Sequence, residues 1–272
     1  LNITYLVKEN SGPGDSRNYG MERASGVNFV ILDSDCILPE FYIRNMDDEW
    51  NSSDVDFWGG PDAAHPSFSV FQKAINYSMT SFLTTGGIRG GKSQVNTFQP
   101  RSFNMGISKR AFLSSQGFGD IHPGEDPDLV IRLWKLGFKS QLFNSVFVYH
   151  KRRIDWSKFY KQVHKFGLVR PILNKWHPNT KKLTYWFPSI FIIGFDVSIL
   201  LAIFGTMWPL GLYVVYFFIA FLSALFTTKS LKVAVMAIWA ICIQFIGYGL
   251  GFLESTFAIN ILNKDMIFLM NF

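Results

Sequence analysis

The hydrophobic pattern changes character near residue 183. Before it, apolar positions come in short runs or at helical spacing among charges. After it they merge into three long stretches, 186–206, 210–226 and 233–253. Crossing about 30 Å of hydrocarbon takes roughly 20 residues, with about 17 near the lower limit, so each stretch is a candidate membrane span. Only Met207-Trp208-Pro209 separates the first two, which leaves room for a tight hairpin. Three successive buried helices of a soluble protein are the alternative.

The first part reads as α/β. Asn2 to Val7 ("NITYLV") and Phe29 to Leu32 ("FVIL") are short runs rich in Val and Ile, which reads as buried strands. Between them lie a loop and a helix ending near Gly26. Strand, helix, strand predicts a parallel sheet. Phe68, Phe71, Ile75 and Met79 keep helical spacing, and so do Leu129, Val130, Leu133 and Trp134, with Gly137 placed as a C-terminal cap. "SVFVYH" reads as a strand ending in His150.

Charge sharpens the division. Residues 183–253 carry only Asp196, Lys229 and Lys232, and the net charge of +6 is concentrated between Lys151 and Lys182. A basic cluster just before a span suits an anionic cytoplasmic leaflet. No nucleic-acid motif accompanies it, so nucleic acid is not an expected partner. The turn at 207–209 lacks Lys and Arg, whereas the next turn has Lys229 and Lys232, so the first domain and that second turn are expected on the cytoplasmic side. Asp196 inside the first span either faces another helix or a polar groove, or is simply tolerated. Trp156, Phe159, Tyr160, Val163 and Phe166 form an apolar stripe with Lys158, Lys161 and Lys165 between them. That reads as a helix lying in the membrane interface, with membrane lipids as partners; a core helix is the alternative. Cys36 and Cys242 are far apart, which excludes a disulfide framework. The chain opens on Leu1 without a secretory signal pattern, and the reading expects a native N-terminus upstream.

Candidate chemistry sits at element ends. Asp33-Ser34-Asp35 follows the strand at 29–32, where two carboxylates at i and i+2 can offer hard oxygen ligands to a divalent cation. D-x-D is also common in plain turns. Glu125 and Asp126 open a helix, with Pro127 tolerated in its first turn. A carboxylate there is stabilised by the helix dipole, stays ionised, and can act as a general base; a simple capping acid is the other reading. His150 is a candidate metal ligand or a structural histidine.

Gly86 to Ser93, "GGIRGGKS", matches the phosphate-loop pattern G-x-x-x-x-G-K-[ST]. That loop requires a strand before it and a helix after it. Here a helical pattern precedes, and "QVNTFQPRSFN" with Pro100 follows. The match is therefore read as chance in a glycine-rich loop. A nucleotide hydrolase using Lys92 and a catalytically silent membrane scaffold stand as competing hypotheses.

The order of the motifs resembles family-2 glycosyltransferases of the GT-A fold: "SRNYGMERASGVNFVILDSDC", then "FNMGISKRAFLSSQGFGDIHPGEDPDLVIRLWKLGF", then a strand ending in His, a basic stretch and apolar spans. The resemblance covers roughly residues 10–170. It implies an α/β, GT-A-like (Rossmann-like) mixed-sheet domain over 1–153, a basic interfacial segment over 154–182, about three transmembrane helices over 183–256 and a tail over 257–272. It also implies a membrane-anchored, inverting, metal-dependent hexosyltransferase of the cell inner membrane. Such an enzyme moves a sugar from a UDP- or GDP-sugar to a lipid-linked or glycan acceptor, in cell-surface polysaccharide or glycolipid synthesis. By resemblance, Arg17 and Asn18 lie near the nucleotide, Asp33 serves nucleotide and metal, and Asp35 binds Mn²⁺ or Mg²⁺ directly with His150 completing the site. Asn104 lines the donor-sugar pocket, and Asp126, beside Glu125, is the general base. Two departures stand out. The Q-x-x-R-W motif of processive members reads "QVHKF" at Gln162 to Phe166, and nothing matches the family's first two strands.

Overall fold

The computed structural model describes residues 2–86, 98–153 and 155–264. Its described residues form two compact units, one drawn from 2–63 and 98–150, the other from 64–86 and from 151 onward. Residues 64–86, expected from the sequence to belong to the catalytic domain, thus group with the C-terminal helices.

The first unit begins with helix α1 (Pro13–Arg23), which has Pro13 and Asp15 in its first turn and Arg23 in its last. These placements suit both the missing proline donor and the helix dipole. Strand β1 (Asn28–Leu32) follows, then β2 (Cys36–Ile37), helix α2 (Tyr42–Asn51), β3 (Phe57–Gly59) and β4 (Asp62–Ala63). After residue 98 come β5 (Asn104–Ser108), helices α5 (Lys109–Ser115) and α6 (Glu125–Lys135), and strands β6 (Ser140–Leu142) and β7 (Val148–His150).

The sheets are mixed. The larger has order β1-β5-β3-β6 and the smaller β2-β7-β4. β1 runs antiparallel to β5, from Asn28 opposite Ser108 to Leu32 opposite Asn104. This corrects the predicted parallel pairing with an N-terminal strand. Residues 2–9 adopt no strand, and Ile3, Tyr5 and Val7 are exposed. Val and Ile content marked that run as strand-like, but burial decides strand formation more than intrinsic preference does. In β1, Phe29 and Ile31 alternate into a core with Met105, Ile107, Phe112, Leu129 and Leu133. β5 is buried at four of its five positions, as a central strand should be.

Just past β3, the backbone presses against its neighbours. A Cβ on Gly60 would stand 1.7 Å from the Val146 carbonyl oxygen and 2.2 Å from Asn104 Nδ2. Gly60→Ala is therefore expected to destabilise this unit by about 1–3 kcal/mol, the scale of overpacking, seen as a lower unfolding midpoint.

The second unit is helical. α3 (Val70–Thr80) starts at a reciprocal cap: Ser69 Oγ accepts from the Gln72 amide at 3.2 Å, and the Ser69 amide donates to Gln72 Oε1 at 3.1 Å. The short α4 (Phe82–Thr85) ends at Gly86. The rest of "GGIRGGKS" lies outside the described residues. What precedes it is helix, as the pattern predicted. α7 (Trp156–Trp176), α8 (Phe187–Ile203), α9 (Trp208–Thr228) and α10 (Leu231–Asn260) complete the unit. Three stretches, Leu183–Ile203, Trp208–Thr228 and Leu231–Asn260, are long and apolar enough to cross a membrane.

α3 packs on the last two of these: Ala74 and Tyr77 join Ala220, Ala224, Val233, Ala234 and Ala237, and the Tyr77 hydroxyl donates to the Ala220 carbonyl at 3.2 Å. Gly247-x-x-x-Gly251 on α10 lets α7 approach closely, since a Cβ on Gly251 would stand 2.3 Å from the His164 carbonyl oxygen. The aromatic stripe of α7 does not face outward. Phe159 and Val163 are buried with Ile75, Met79 and Ala240, and Trp156 and Phe166 pack against them. Lys158, Lys161 and Lys165 between them remain exposed. The stripe thus finds protein partners on α3 and α10. Asp196 on α8 is exposed.

Candidate functional site

The first unit draws together residues far apart in sequence. Arg17 on α1 lies between two motifs: Nη2 donates to Asp33 Oδ1 at 2.9 Å and Nη1 to Glu125 Oε1 at 3.2 Å. The guanidinium also lies over the Phe118 ring, 5.5 Å from its centroid. One turn along α1, Asn18 clips the loop that carries Phe118. Its Nδ2 donates to the Phe118 carbonyl at 2.9 Å, and its Oδ1 accepts from the Phe118 amide at 2.8 Å. Asn18 thus shapes the wall beside Arg17. Asp33 hangs off the end of β1, its amide donating to the Phe103 carbonyl at 3.4 Å.

Glu125 and Asp126 open α6 and titrate in opposite directions. Burial pushes the Glu125 carboxyl up, but the hydrogen bond from His122 (3.2 Å to Oε2) and the charges of His122 and Arg17 outweigh it, leaving its pKa lowered. Burial also pushes Asp126 up, and there the neighbouring Glu125 charge adds to it. Arg17, Arg101 and Ser102 oppose the rise without cancelling it. Asp126 Oδ1 is enclosed and accepts no hydrogen bond among the described residues. Burial thus works against the helix dipole at this position, and the Asp126 pKa stands above the usual carboxylate value. Arg17 has its own pKa raised, because Asp126, Asp33 and Glu125 outweigh the opposing effect of burial.

A second cluster lies on the smaller sheet. Asp35, Cys36 and His150 place a carboxylate oxygen, a sulfur and an imidazole nitrogen within 4.8 Å of one another. His150 Nε2 is 3.3 Å from Asp35 Oδ1, and its ring stacks on Phe103 at 4.8 Å between centroids. Oxygen and imidazole donors at this spacing suit a divalent cation. Asp33, expected as a second metal ligand, is instead held by Arg17 and lies outside this group. Cys36 was not expected. Only the register of β2 on β7, with Cys36 opposite His150, brings it in. Burial, then the charges of Asp35 and Asp33, push its thiol up to about 12, and Sγ donates to the Phe103 carbonyl at 3.4 Å. Oxygen and imidazole nitrogen are harder donors than sulfur, so Asp35 and His150 suit a hard divalent cation better than Cys36 does.

Asn104 needs a further correction. It is fully buried, with Oδ1 accepting from the Tyr42 hydroxyl at 2.6 Å and Nδ2 donating to the Val146 carbonyl at 2.7 Å. Both ends of its amide are engaged, so it braces β5 against α2 and the 143–146 turn and does not line a sugar pocket. His122 also escaped the sequence reading, though its spacing three residues before Glu125 was a usable signal.

A mixed α/β unit with acidic groups gathered just past its strand ends, joined to three helices of spanning length, has the layout of GT-A enzymes attached to membranes. Residues 28–252 match the glycosyl transferase family group 2, and the chain belongs to that family. No curated protein matches it closely enough to count as a relative. Enzymes of this family typically depend on a divalent metal, and the Asp35–His150 pair supplies donors of the right kind.

Proposed function

We propose that the protein is a membrane-anchored, inverting hexosyltransferase that takes a sugar from a UDP- or GDP-sugar and passes it to a lipid-linked or glycan acceptor. The observation that carries this reading is the pairing of a proton-accepting carboxylate, Asp126, with a metal-type cluster at Asp35 and His150 in one α/β unit. Mn²⁺ or Mg²⁺ held by Asp35 and His150 would offset charge on the leaving diphosphate.

The chain's own residues do the rest. Asp126 takes the proton from the acceptor hydroxyl as that oxygen bonds to the anomeric carbon and the bond from that carbon to the diphosphate oxygen breaks. Glu125, held ionised, raises the basicity of Asp126 through its charge. Arg17 holds Asp33 and Glu125 in place beside it. The lysine and arginine distribution favours the catalytic unit on the cytoplasmic face of an inner membrane, with α8–α10 as the anchor, and cell-surface polysaccharide or glycolipid synthesis as the setting.

The test is calorimetric binding of UDP and of GDP to the purified protein, with and without Mn²⁺. Metal-dependent binding of one nucleotide is expected. Asp35→Ala should weaken it about a hundredfold, or about 3 kcal/mol. Nucleotide binding that ignores Mn²⁺, or that Asp35→Ala leaves intact, would overturn the reading.

A further inference from the structure

We infer that α10 lies along the membrane surface at the base of the α8–α9 hairpin and does not cross the bilayer, so that its C-terminal end stays on the same face as α7. The surface it docks on is the boundary between lipid headgroups and acyl chains. The inference rests on the reading of α8 and α9 as bilayer spans.

Contacts fix the direction of α10. α8 and α9 form an antiparallel hairpin: Phe195 packs on Tyr213 at 5.1 Å between ring centroids, Phe191 packs on Phe217 at 6.0 Å, and the Tyr213 hydroxyl donates to the Phe191 carbonyl at 2.9 Å. The start of α8 and the end of α9 therefore share one end of the hairpin. α10 touches that end from both of its halves. Near its start, Val233, Ala234 and Ala237 cluster with Ala220 and Ala224 of α9. Midway, Phe245 meets Phe187 and Phe191 at 5.7 and 4.7 Å between centroids. Further on, the Gly249 carbonyl accepts from Ser189 Oγ at 3.0 Å, and Phe252 packs on Trp186 at 4.9 Å. From Val233 to Phe252 the helix advances about 30 Å, the thickness of a hydrocarbon core. Its partners from Trp186 to Phe191 cover only about 8 Å. A helix running back across the bilayer would stand beside Ile203 and Trp208 by then, whereas Phe252 has arrived at Trp186.

Charge agrees with this placement. α7 runs beside the second half of α10: a Cβ on Gly247 would stand 2.5 Å from Val163 Cγ2, one on Gly251 would stand 3.1 Å from the Leu168 amide nitrogen, and His164 Nε2 is 3.3 Å from Glu254 Oε2. A bilayer around that half would also enclose the exposed Lys158, Lys161 and Lys165 of α7, at about 3 kcal/mol each near its centre. At the surface these lysines reach headgroups instead, as do the exposed Lys229 and Lys232. Burial separates α10 from its neighbours as well. The most apolar stretches of α8 and α9 are 11% buried, that of α10 44%. What α10 leaves open is apolar: Val235, Trp239, Ile246, Leu250 and Phe257 are 43–57% exposed. They recur at steps of four and seven, which makes one stripe of a helix. Such a stripe beds about 5–10 Å into the headgroup and acyl boundary, continuous with the lipid-facing surface of the hairpin.

Single cysteines in sealed membrane vesicles, labelled with a membrane-impermeant maleimide from either face, read the topology. Lys158→Cys on α7, Met207→Cys in the hairpin turn and Asn260→Cys at the end of α10 all replace exposed side chains. Wild type gives the background from Cys36 and Cys242. Asn260→Cys is expected to label from the same face as Lys158→Cys, and Met207→Cys from the opposite one. Labelling of Asn260→Cys from the Met207→Cys face overturns the proposal. Lys158→Cys and Met207→Cys on one face would instead overturn the spanning reading of α8 and α9, and the proposal with it. Depth is an independent check. Nitroxides on Val235→Cys, Ile246→Cys and Phe257→Cys, relaxed by oxygen and by a water-soluble nickel complex, are expected at equal, shallow depths. In a spanning helix the label at 246 would sit about 15 Å deeper than the other two. That profile overturns the proposal even where Asn260→Cys labels from neither face.

Discussion

Asp126→Asn is expected to lower the transfer rate by about a thousandfold, within the range for loss of a general base, and at the same time to raise the melting temperature at neutral pH. The two effects have one cause. Burial and the adjacent Glu125 charge hold the Asp126 pKa above its ordinary value. The folded protein therefore keeps a proton on Asp126 at a pH where the unfolded chain has lost it. The resulting penalty is absent at low pH and grows as pH rises from the unfolded value through the folded one. At neutral pH asparagine removes it. A residue that merely held the fold together would show the opposite change in stability.

The same coupling predicts the acid limb of the pH–rate profile. Glu125→Gln removes the like charge, so the Asp126 pKa should fall and the limb should move to lower pH. Steady-state kinetics across the acid range, with thermal unfolding of each variant, reads all of this. A loss of less than tenfold in Asp126→Asn would place the base elsewhere.

Arg17→Ala is the second large effect. Arg17 is mostly buried, with its guanidinium divided between Asp33 and Glu125. Removing it leaves two carboxylates facing Asp126 with no cation bonded to them from α1. Breaking a buried pair from one side costs about 3–5 kcal/mol, and the lower end applies here because the Asp33 side chain is 35% exposed. Glu125 has a lowered pKa, so the stability it contributes is present above its unfolded value and is lost as pH falls through the folded value. The deficit of Arg17→Ala should accordingly be largest near neutrality and shrink as pH drops into the carboxylate range. Arg17→Lys should recover only part of it, since an ammonium lacks the planar fork that reaches both partners. Denaturant unfolding at several pH values measures the set. An Arg17→Ala deficit that does not change with pH would mean that Arg17 acts through packing alone, for instance on Phe118.

The parts of the fold that were legible in the sequence are those set by local signals. The capped helix from Glu125, the helix after Ser69, the strand at 28–32 and the three apolar helices all declare themselves within a dozen residues or so. What escaped depends on distant pairing. β1 finds its neighbour in β5, and nothing near Phe29 encodes that choice. Asn104 carries the same letters whether it lines a pocket or braces Tyr42, and only full burial settles it. Asp33 looks like half of a metal pair until Arg17, sixteen residues earlier, turns out to hold it. Cys36 joins Asp35 and His150 only through the register of β2 on β7.

The placement of α3 among the C-terminal helices carries a cost in time. Ribosomes deliver α3 long before any of α7, α9 or α10, the helices that cover Ala74, Ile75, Tyr77 and Met79. At about 5–20 residues per second the wait is on the order of ten seconds. During that interval an apolar helix face stays uncovered. A polypeptide ended before α7 would never cover it.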